Sequence, residues 1–172
     1  MWCLTEQEAR TWCEGKAISL DEKGHPLINN RAHWVTISIS EMKLTRLTWL
    51  GEFVASYLEP FDESLLWVTL WGVWSSSENL HLYYRVRESY GDRQQLAVAP
   101  GHLFAKHEGA DLATFIQLAL TFGWDFYLVT SPGYCTVFVS HDEYIDFYTD
   151  DPDAVESVRR DLDRELGTSI EK

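Results

Sequence analysis

The chain has 172 residues, a hydrophobic fraction of 45% and a formal net charge of −13 at pH 7. The length suits one domain with its own core, and the composition excludes an intrinsically disordered chain. The negative charge makes nucleic acid an unlikely partner, and no apolar run is long enough for a membrane span. Three cysteines without paired spacing and the lack of an export signal predict a cytoplasmic protein.

The N-terminal segment is predicted to hold a short helix and a hairpin. Thr5 and Glu8 form the capping box S/T-x-x-E that opens a helix, and Gly15 ends it. Over residues 17–28, a polar turn separates two short apolar stretches, which is typical of a hairpin. Both elements precede the first strongly patterned strand, so we expect them at the periphery of the fold.

Two strands and one long helix are predicted next. Residues 34–39 alternate between apolar and polar side chains, as a strand with one buried face does. Residues 43–58 repeat apolar side chains at three- and four-residue steps, which predicts an amphipathic helix stopped by Pro60. Residues 65–73 are apolar on both alternations, so we expect a central strand that is buried on both faces.

The segment 75–91 fits two structures. Ser75 and Glu78 make a second capping box and Gly91 provides a stop signal, which together favour a helix. The second half of the segment also alternates between apolar and polar side chains, as a hairpin partner of the preceding strand would. We predict the helix because its two end signals agree.

The most apolar helix is predicted at residues 112–122, after a loop and with Asp111 as its N-cap. Its side chains leave little polar face, so we expect it in the centre of the fold. Two strands follow at residues 125–130 and 135–140. The Pro132-Gly133 pair between them predicts a type II turn and therefore a hairpin.

The chain is predicted to finish with an acidic helix. Tyr144 to Tyr148 is a short edge strand or a helical turn, and Asp151 at N-cap with Pro152 at the first helical position then starts the helix. The predicted fold is a single compact α+β domain, with a mixed or antiparallel sheet packed against two main helices. The domain, residues 1–172, comprises a peripheral helix and hairpin, a core, and a C-terminal helix with its tail: 1–33, 34–148 and 149–172.

Histidine and acidic residues are concentrated before the most apolar helix. His102, His107, Glu108 and Asp111 lie within ten residues, and imidazole and carboxylate groups at that density could ligate a metal. The spacing is not that of H-E-x-x-H and does not place two ligands on one helical face. The alternative is that Asp111 is only a cap, His102 packs beside a turn and His107 is solvated. His102, His107 and His141 are also the candidates for acid–base catalysis.

Other catalytic arrangements have less support in the sequence. Ser140, His141 and Asp142 are the residue types of a catalytic triad, but consecutive residues cannot converge on one point. Cys135 has no basic neighbour in sequence and is expected in the core. No glycine-rich phosphate loop occurs, so no cofactor is predicted.

The acidic excess is concentrated at the C-terminal end. Residues 141–172 contain eleven acidic and four basic side chains, a net charge of −7. Such a segment is either a solvating surface or a surface complementary to a basic partner. If it binds a partner, the candidate residues are those before and at the start of the last helix: Asp142, Glu143, Asp146, Asp150, Asp151 and Asp153.

These observations favour a binding function. We predict a non-enzymatic acidic protein-binding module, similar in composition to inhibitor, immunity or regulator proteins, with a basic protein as its partner. An exposed Trp34 or Trp74 would add an aromatic hot spot to that surface. The alternatives are a small-molecule enzyme that uses acid–base or metal-assisted chemistry at the His102/His107 loop, and an assembly or scaffold protein. The sequence does not define an oligomeric state.

Overall fold

Within residues 1–28, 31–39, 44–71 and 80–166, which the computed structural model describes, the chain folds into one antiparallel sheet and five helices. In chain order the elements are β1 (Trp2–Leu4), α1 (Glu6–Gly15), β2 (His33–Ser38), α2 (Leu44–Leu58), β3 (Glu63–Leu70), α3 (Leu80–Ser89), β4 (Gly101–Ala105), α4 (Gly109–Thr121), β5 (Asp125–Ser131), β6 (Cys135–Ser140), β7 (Tyr144–Thr149) and α5 (Pro152–Leu166). The predicted α+β class is confirmed, and the sheet is antiparallel.

The strand order of the sheet is β1-β4-β3-β5-β6-β7-β2. The first two strands in sequence therefore lie at opposite edges, and β3 is an interior strand, as its two apolar faces predicted. Residues 144–148 form a strand rather than a helical turn. The prediction of an edge strand there is wrong, because β7 pairs with β6 on one side and with β2 on the other.

The inner face of the sheet packs against helices α2, α3, α4 and α5. Helices α2 and α4 contact each other and supply most of the apolar side chains that meet this face, while α5 packs against β2 and β7. The residues at the centre of this core are fully or almost fully buried; they include Leu50, Val54, Phe115, Ile116, Phe126, Val137, Phe147 and Leu162. A helix as apolar as α4 is stable here because nearly all of its sides contact other elements.

The outer face is covered over one half only. Helix α1 and the 17–28 hairpin, whose ends meet in a bridge between Leu20 and Pro26, pack on the side of β4, β3 and β5. Ala9 and Cys13 contact a second apolar cluster that contains Leu65, Trp67, Leu103 and Val129. In the part of the chain that the structure describes, no helix covers the outer face of β6, β7 and β2. On that half, the outer side chains of β2 are exposed, whereas those of β6 and β7 are partly exposed or buried.

The termini of several helices follow their sequence signals. Thr5 and Glu8 form both bonds of the capping box, and Asp151 accepts a hydrogen bond at 2.9 Å from the Asp153 backbone N–H as the N-cap of α5. Gly91 and Gly123 adopt positive φ angles directly after α3 and α4. The helix alternative for the second half of segment 75–91 is confirmed by α3, whereas its capping box lies outside the described residues.

Three expectations need correction. Strands β1 and β4 were not predicted, so part of the 1–33 segment belongs to the sheet rather than to its periphery. Helix α4 begins at Gly109, and Asp111 lies in its first turn instead of capping it. The 125–140 hairpin is confirmed, but its turn is not type II because Gly133 lacks the positive φ that this turn requires. The ends of the segments predicted at 43 and at 72–73 lie outside the described residues, as does Trp74.

Candidate functional site

The open half of the sheet carries a group of aromatic side chains. Because side chains alternate along each strand, every second residue of β5, β6, β7 and β2 lies on the outer face. The register places Phe138 beside Tyr127 on one neighbouring strand and beside Asp146 on the other, and it places Trp34 opposite Tyr148. We name this surface the open aromatic face and define it by Trp34, Tyr127, Phe138, Tyr144 and Tyr148.

The aromatic rings are held by one another and by the hairpin. The ring centroids of Tyr127 and Phe138 are 4.8 Å apart, and those of Phe138 and Tyr144 are 6.2 Å apart. His25, from the 17–28 hairpin, lies 5.9 Å from the ring of Tyr127 and marks the limit of the covered half. Trp34, at the opposite limit, has 59% of its surface exposed. The rings thus pack on one another along the interior of the face, and the face is most exposed at β2.

Asp146 lies in the centre of the open aromatic face. Only 8% of its surface is exposed. Its Oδ1 atom accepts a hydrogen bond from the Thr36 hydroxyl at 2.5 Å, and its Oδ2 atom accepts one from the Tyr148 hydroxyl at 3.0 Å. Burial raises the pKa of Tyr148 above its usual range, and the nearby Asp146 carboxylate raises it further. The Tyr148 hydroxyl therefore keeps its proton and donates it in the hydrogen bond to Asp146.

The structure does not bring the six acidic candidates together. Asp142 and Glu143 are exposed in the turn that precedes β7. Asp150, Asp151 and Asp153 lie beyond the opposite end of that strand. Of the latter, Asp150 pairs with Arg31 at 2.5 Å and Asp151 caps α5, while Asp153 is exposed in the first turn of that helix. Asp146 is therefore the only one of the six within the open aromatic face.

His141 is attached to Asp125 at the boundary of this face. Its Nδ1 atom is 2.7 Å from Asp125 Oδ1, and its backbone N–H donates to the same oxygen at 2.5 Å. The hydrogen bond between the imidazole and the Asp125 carboxylate raises the pKa of His141 above its ordinary value. The neighbouring Ser140 hydroxyl accepts a bond from the Asp142 backbone N–H. The contact between His141 and Asp125 joins the end of β6 to the start of β5.

His102 belongs to a buried polar cluster under the other half of the sheet. It is fully buried in β4, with Nε2 hydrogen-bonded to the Tyr83 hydroxyl and Nδ1 3.3 Å from the Leu66 carbonyl oxygen. Burial, with the nearby positive charge of Arg87, lowers the pKa of His102 to about 3. The side chain is therefore neutral at neutral pH and has no exposed surface.

The other candidates of the His102 loop point elsewhere. His107 is exposed in the turn after β4. Glu108 pairs with the N-terminal ammonium group of Met1 and accepts a bond from the Ala105 backbone N–H at 2.8 Å. Over the described ranges, no three His, Cys, Asp or Glu side chains lie close enough together to hold a metal ion.

A separate cavity of about 440 Å³ lies between the end of α2, the β5–β6 turn and the start of α5. Its walls include Arg31, Tyr57, Cys135 and Thr149. Cys135 is buried, as predicted, and burial raises its pKa to about 12, so the thiol is not activated. Tyr57 packs edge-on against the ring of Phe147, with centroids 5.2 Å apart.

None of the described helices is both long and apolar enough to cross a membrane. The sequence analysis did not identify four members of the open aromatic face: Tyr127, Phe138, Tyr144 and Tyr148. A signal was present in β7, where Tyr144, Asp146 and Tyr148 alternate with the buried Ile145 and Phe147 and so mark one outer face.

The chain matches no protein-family model, no curated protein and no solved structure. Its function must therefore be inferred from the geometry of its own surface.

Proposed function

We propose that this chain is a non-enzymatic protein-binding module and that the open aromatic face is its binding surface. The observation that carries the proposal is the exposure of Trp34 at 59% beside a row of partly exposed aromatic rings. Tryptophan and tyrosine dominate the binding energy of protein interfaces because they bury a large area with few rotatable bonds. Aromatic side chains grouped on one exposed sheet face are therefore suited to recognition.

The charge of the chain supports a basic protein as the partner. The formal net charge is −13, and acidic residues lie both within the face, at Asp146, and around its ends, at Asp125, Asp142 and Glu143. A surface of this kind attracts a positively charged protein before contact and raises the association rate. The same charge repels nucleic acid, whose bases could otherwise stack on exposed aromatic rings.

The backbone of the proposed surface is already ordered. Its residues lie on four paired strands, and the strands are fixed from below by α2, α4 and α5. Binding to a rigid surface loses little conformational entropy, so most of the contact energy is available for affinity. The small-molecule alternative has less support, because the completely buried His102 has no exposed surface for a substrate.

The proposal can be tested with two exposed tryptophans. Trp34 is 59% exposed on the open aromatic face, whereas Trp2 is 58% exposed on β1 at the opposite edge of the sheet. The wild type, Trp34→Ala and Trp2→Ala would be used to capture proteins from host extract at low and high salt. A basic protein retained by the wild type and by Trp2→Ala, but lost with Trp34→Ala, would support the proposal.

The salt series provides a second criterion. Electrostatic steering weakens as ions screen the surface charge, so the captured partner should be recovered less efficiently at high salt. Equal recovery of every captured protein by the wild type and by Trp34→Ala would contradict the proposed surface. Equal loss with Trp34→Ala and Trp2→Ala would contradict it too, since the contact would then not be specific to this face.

A further inference from the structure

Asp146 is an acidic side chain in a nearly buried position without a described counter-ion. Only 8% of its surface is exposed, and none of the described ion pairs includes it. Buried charged groups are normally paired, because removing a charge from water is costly. The Thr36 and Tyr148 hydroxyls satisfy part of this requirement through hydrogen bonds, but neither carries a positive charge.

We propose that Asp146 receives an arginine side chain of the protein partner. The inference rests on the proposed function of the open aromatic face and names the group that this face recognises. A cation from the partner would neutralise Asp146 at the moment when the interface excludes water, which is when an unpaired charge becomes most unfavourable. The strong negative charge of the chain favours the approach of such a group.

The hydrogen bonds of Asp146 favour guanidinium over ammonium. Thr36 donates to one carboxylate oxygen and Tyr148 donates to the other, so each oxygen keeps further acceptor capacity. A guanidinium group presents parallel N–H donors that can bond to both oxygens at once, whereas the ammonium group of lysine is a compact point charge.

The surrounding rings favour the same choice. Asp146 lies beside Phe138 across the strand pair, and Tyr144 and Tyr148 are its neighbours two residues away along β7 on the same face. The planar guanidinium group of arginine can stack on aromatic faces while it is hydrogen-bonded to a carboxylate. The surface therefore combines the two features that distinguish arginine from lysine.

The test uses methylguanidinium as a probe, with methylammonium and sodium as comparison cations at equal ionic strength. Amide-resolved NMR would follow the resonances of Thr36, Asp146 and Tyr148 during titration of the wild type, Asp146→Asn and Asp163→Asn. Asp163→Asn removes the same charge from an exposed position of α5, outside the face. We expect saturable shifts with methylguanidinium in the wild type and in Asp163→Asn. In Asp146→Asn the probe should bind about tenfold more weakly.

Several outcomes would overturn the inference. It fails if methylammonium binds the wild type as well as methylguanidinium does, a comparison that does not depend on whether Asp146→Asn folds. It also fails if Asp146→Asn keeps the wild-type response while its melting temperature shows a folded protein. If Asp146→Asn retains a captured partner that Trp34→Ala loses, the arginine contact is refuted and the binding function stands. If neither variant affects capture, the proposed function itself is refuted.

Discussion

Trp34 and Tyr148 are cross-strand partners on the open aromatic face, one in the edge strand β2 and the other in β7. The two side chains differ in exposure, since Trp34 is 59% exposed while Tyr148 is partly buried and hydrogen-bonded to Asp146. The pair therefore joins a freely accessible ring to a fixed polar centre, and mutations at the two positions should have different consequences.

Replacement of Trp34 by alanine should reduce binding without reducing stability. An exposed side chain contributes little to folding, so the free energy of unfolding should change by no more than about 0.5 kcal/mol. The adjacent Val35, which is 2% exposed on the inner face, provides the control: Val35→Ala should cost about 2 kcal/mol through lost burial and a cavity. Urea unfolding of both variants checks this difference. A large loss of stability in Trp34→Ala would contradict the structure of this face.

Acid should destabilise the protein partly through His102. Its pKa is about 3 in the folded protein against an ordinary value of 6.5, so the unfolded state binds more protons between these values. The contribution of His102 to stability is complete above about pH 6.5 and is lost as the pH falls below it, with a slope of at most about 1.4 kcal/mol per pH unit. In His102→Gln this part of the pH dependence should disappear. Equal slopes for variant and wild type would contradict the prediction.

Arg87 should be essential for stability although it is charged. It is fully buried, donates to the Ala99 carbonyl oxygen at 3.0 Å and pairs with Asp92 at 2.9 Å. Removing one member of a buried pair leaves its partners unsatisfied, so Arg87→Leu should cost about 3–5 kcal/mol. Arg93→Leu is the matched control, because its pair with Glu88 is largely exposed and contributes about 0–1 kcal/mol. Denaturant unfolding should separate the two variants clearly.

The cap of α5 should contribute measurably to stability. Asp151→Ala removes the acceptor for the Asp153 backbone N–H and should cost about 0.5–2 kcal/mol. Glu156→Ala, which removes one exposed acidic residue from the same helix, should change stability by no more than about 0.5 kcal/mol. Thermal unfolding of the two variants tests the prediction, and equal melting temperatures would contradict the role of the cap.

The sequence predicted those elements whose local signals are strong. Helix α2 repeats apolar residues at helical spacing, and the N-terminal capping box is formed as expected. Strand β1 was missed because three residues are too few to show an alternation. Strand β4 was missed because it begins at the glycine of the Pro100-Gly101 pair, which is a turn signal, and because it contains the polar His102. That histidine is accommodated in the core by its hydrogen bond with Tyr83, which no local pattern shows.

The candidate site was only partly predictable, because it depends on the strand order. The alternation around Trp34 indicated a half-buried strand, but only the pairing of β2 with β7 and of β6 with β5 places four strands side by side. Asp146 was included as one of several acidic residues in a segment, and no local pattern distinguished it from Asp142. Its burial and its bonds to Thr36 and Tyr148 come from tertiary contacts.

The pairing of β2 with β7 also sets the order in which this surface can form. Thr36 and Asp146, which are hydrogen-bonded on neighbouring strands, are 110 positions apart in the chain. Contacts between such distant residues form late, because a long loop must close first. During synthesis, β2 has to wait until β7 has left the ribosome before it can join the sheet. We therefore expect the aromatic face to be completed late in folding, and a partner that recognises it would select molecules in which β2 and β7 have already paired.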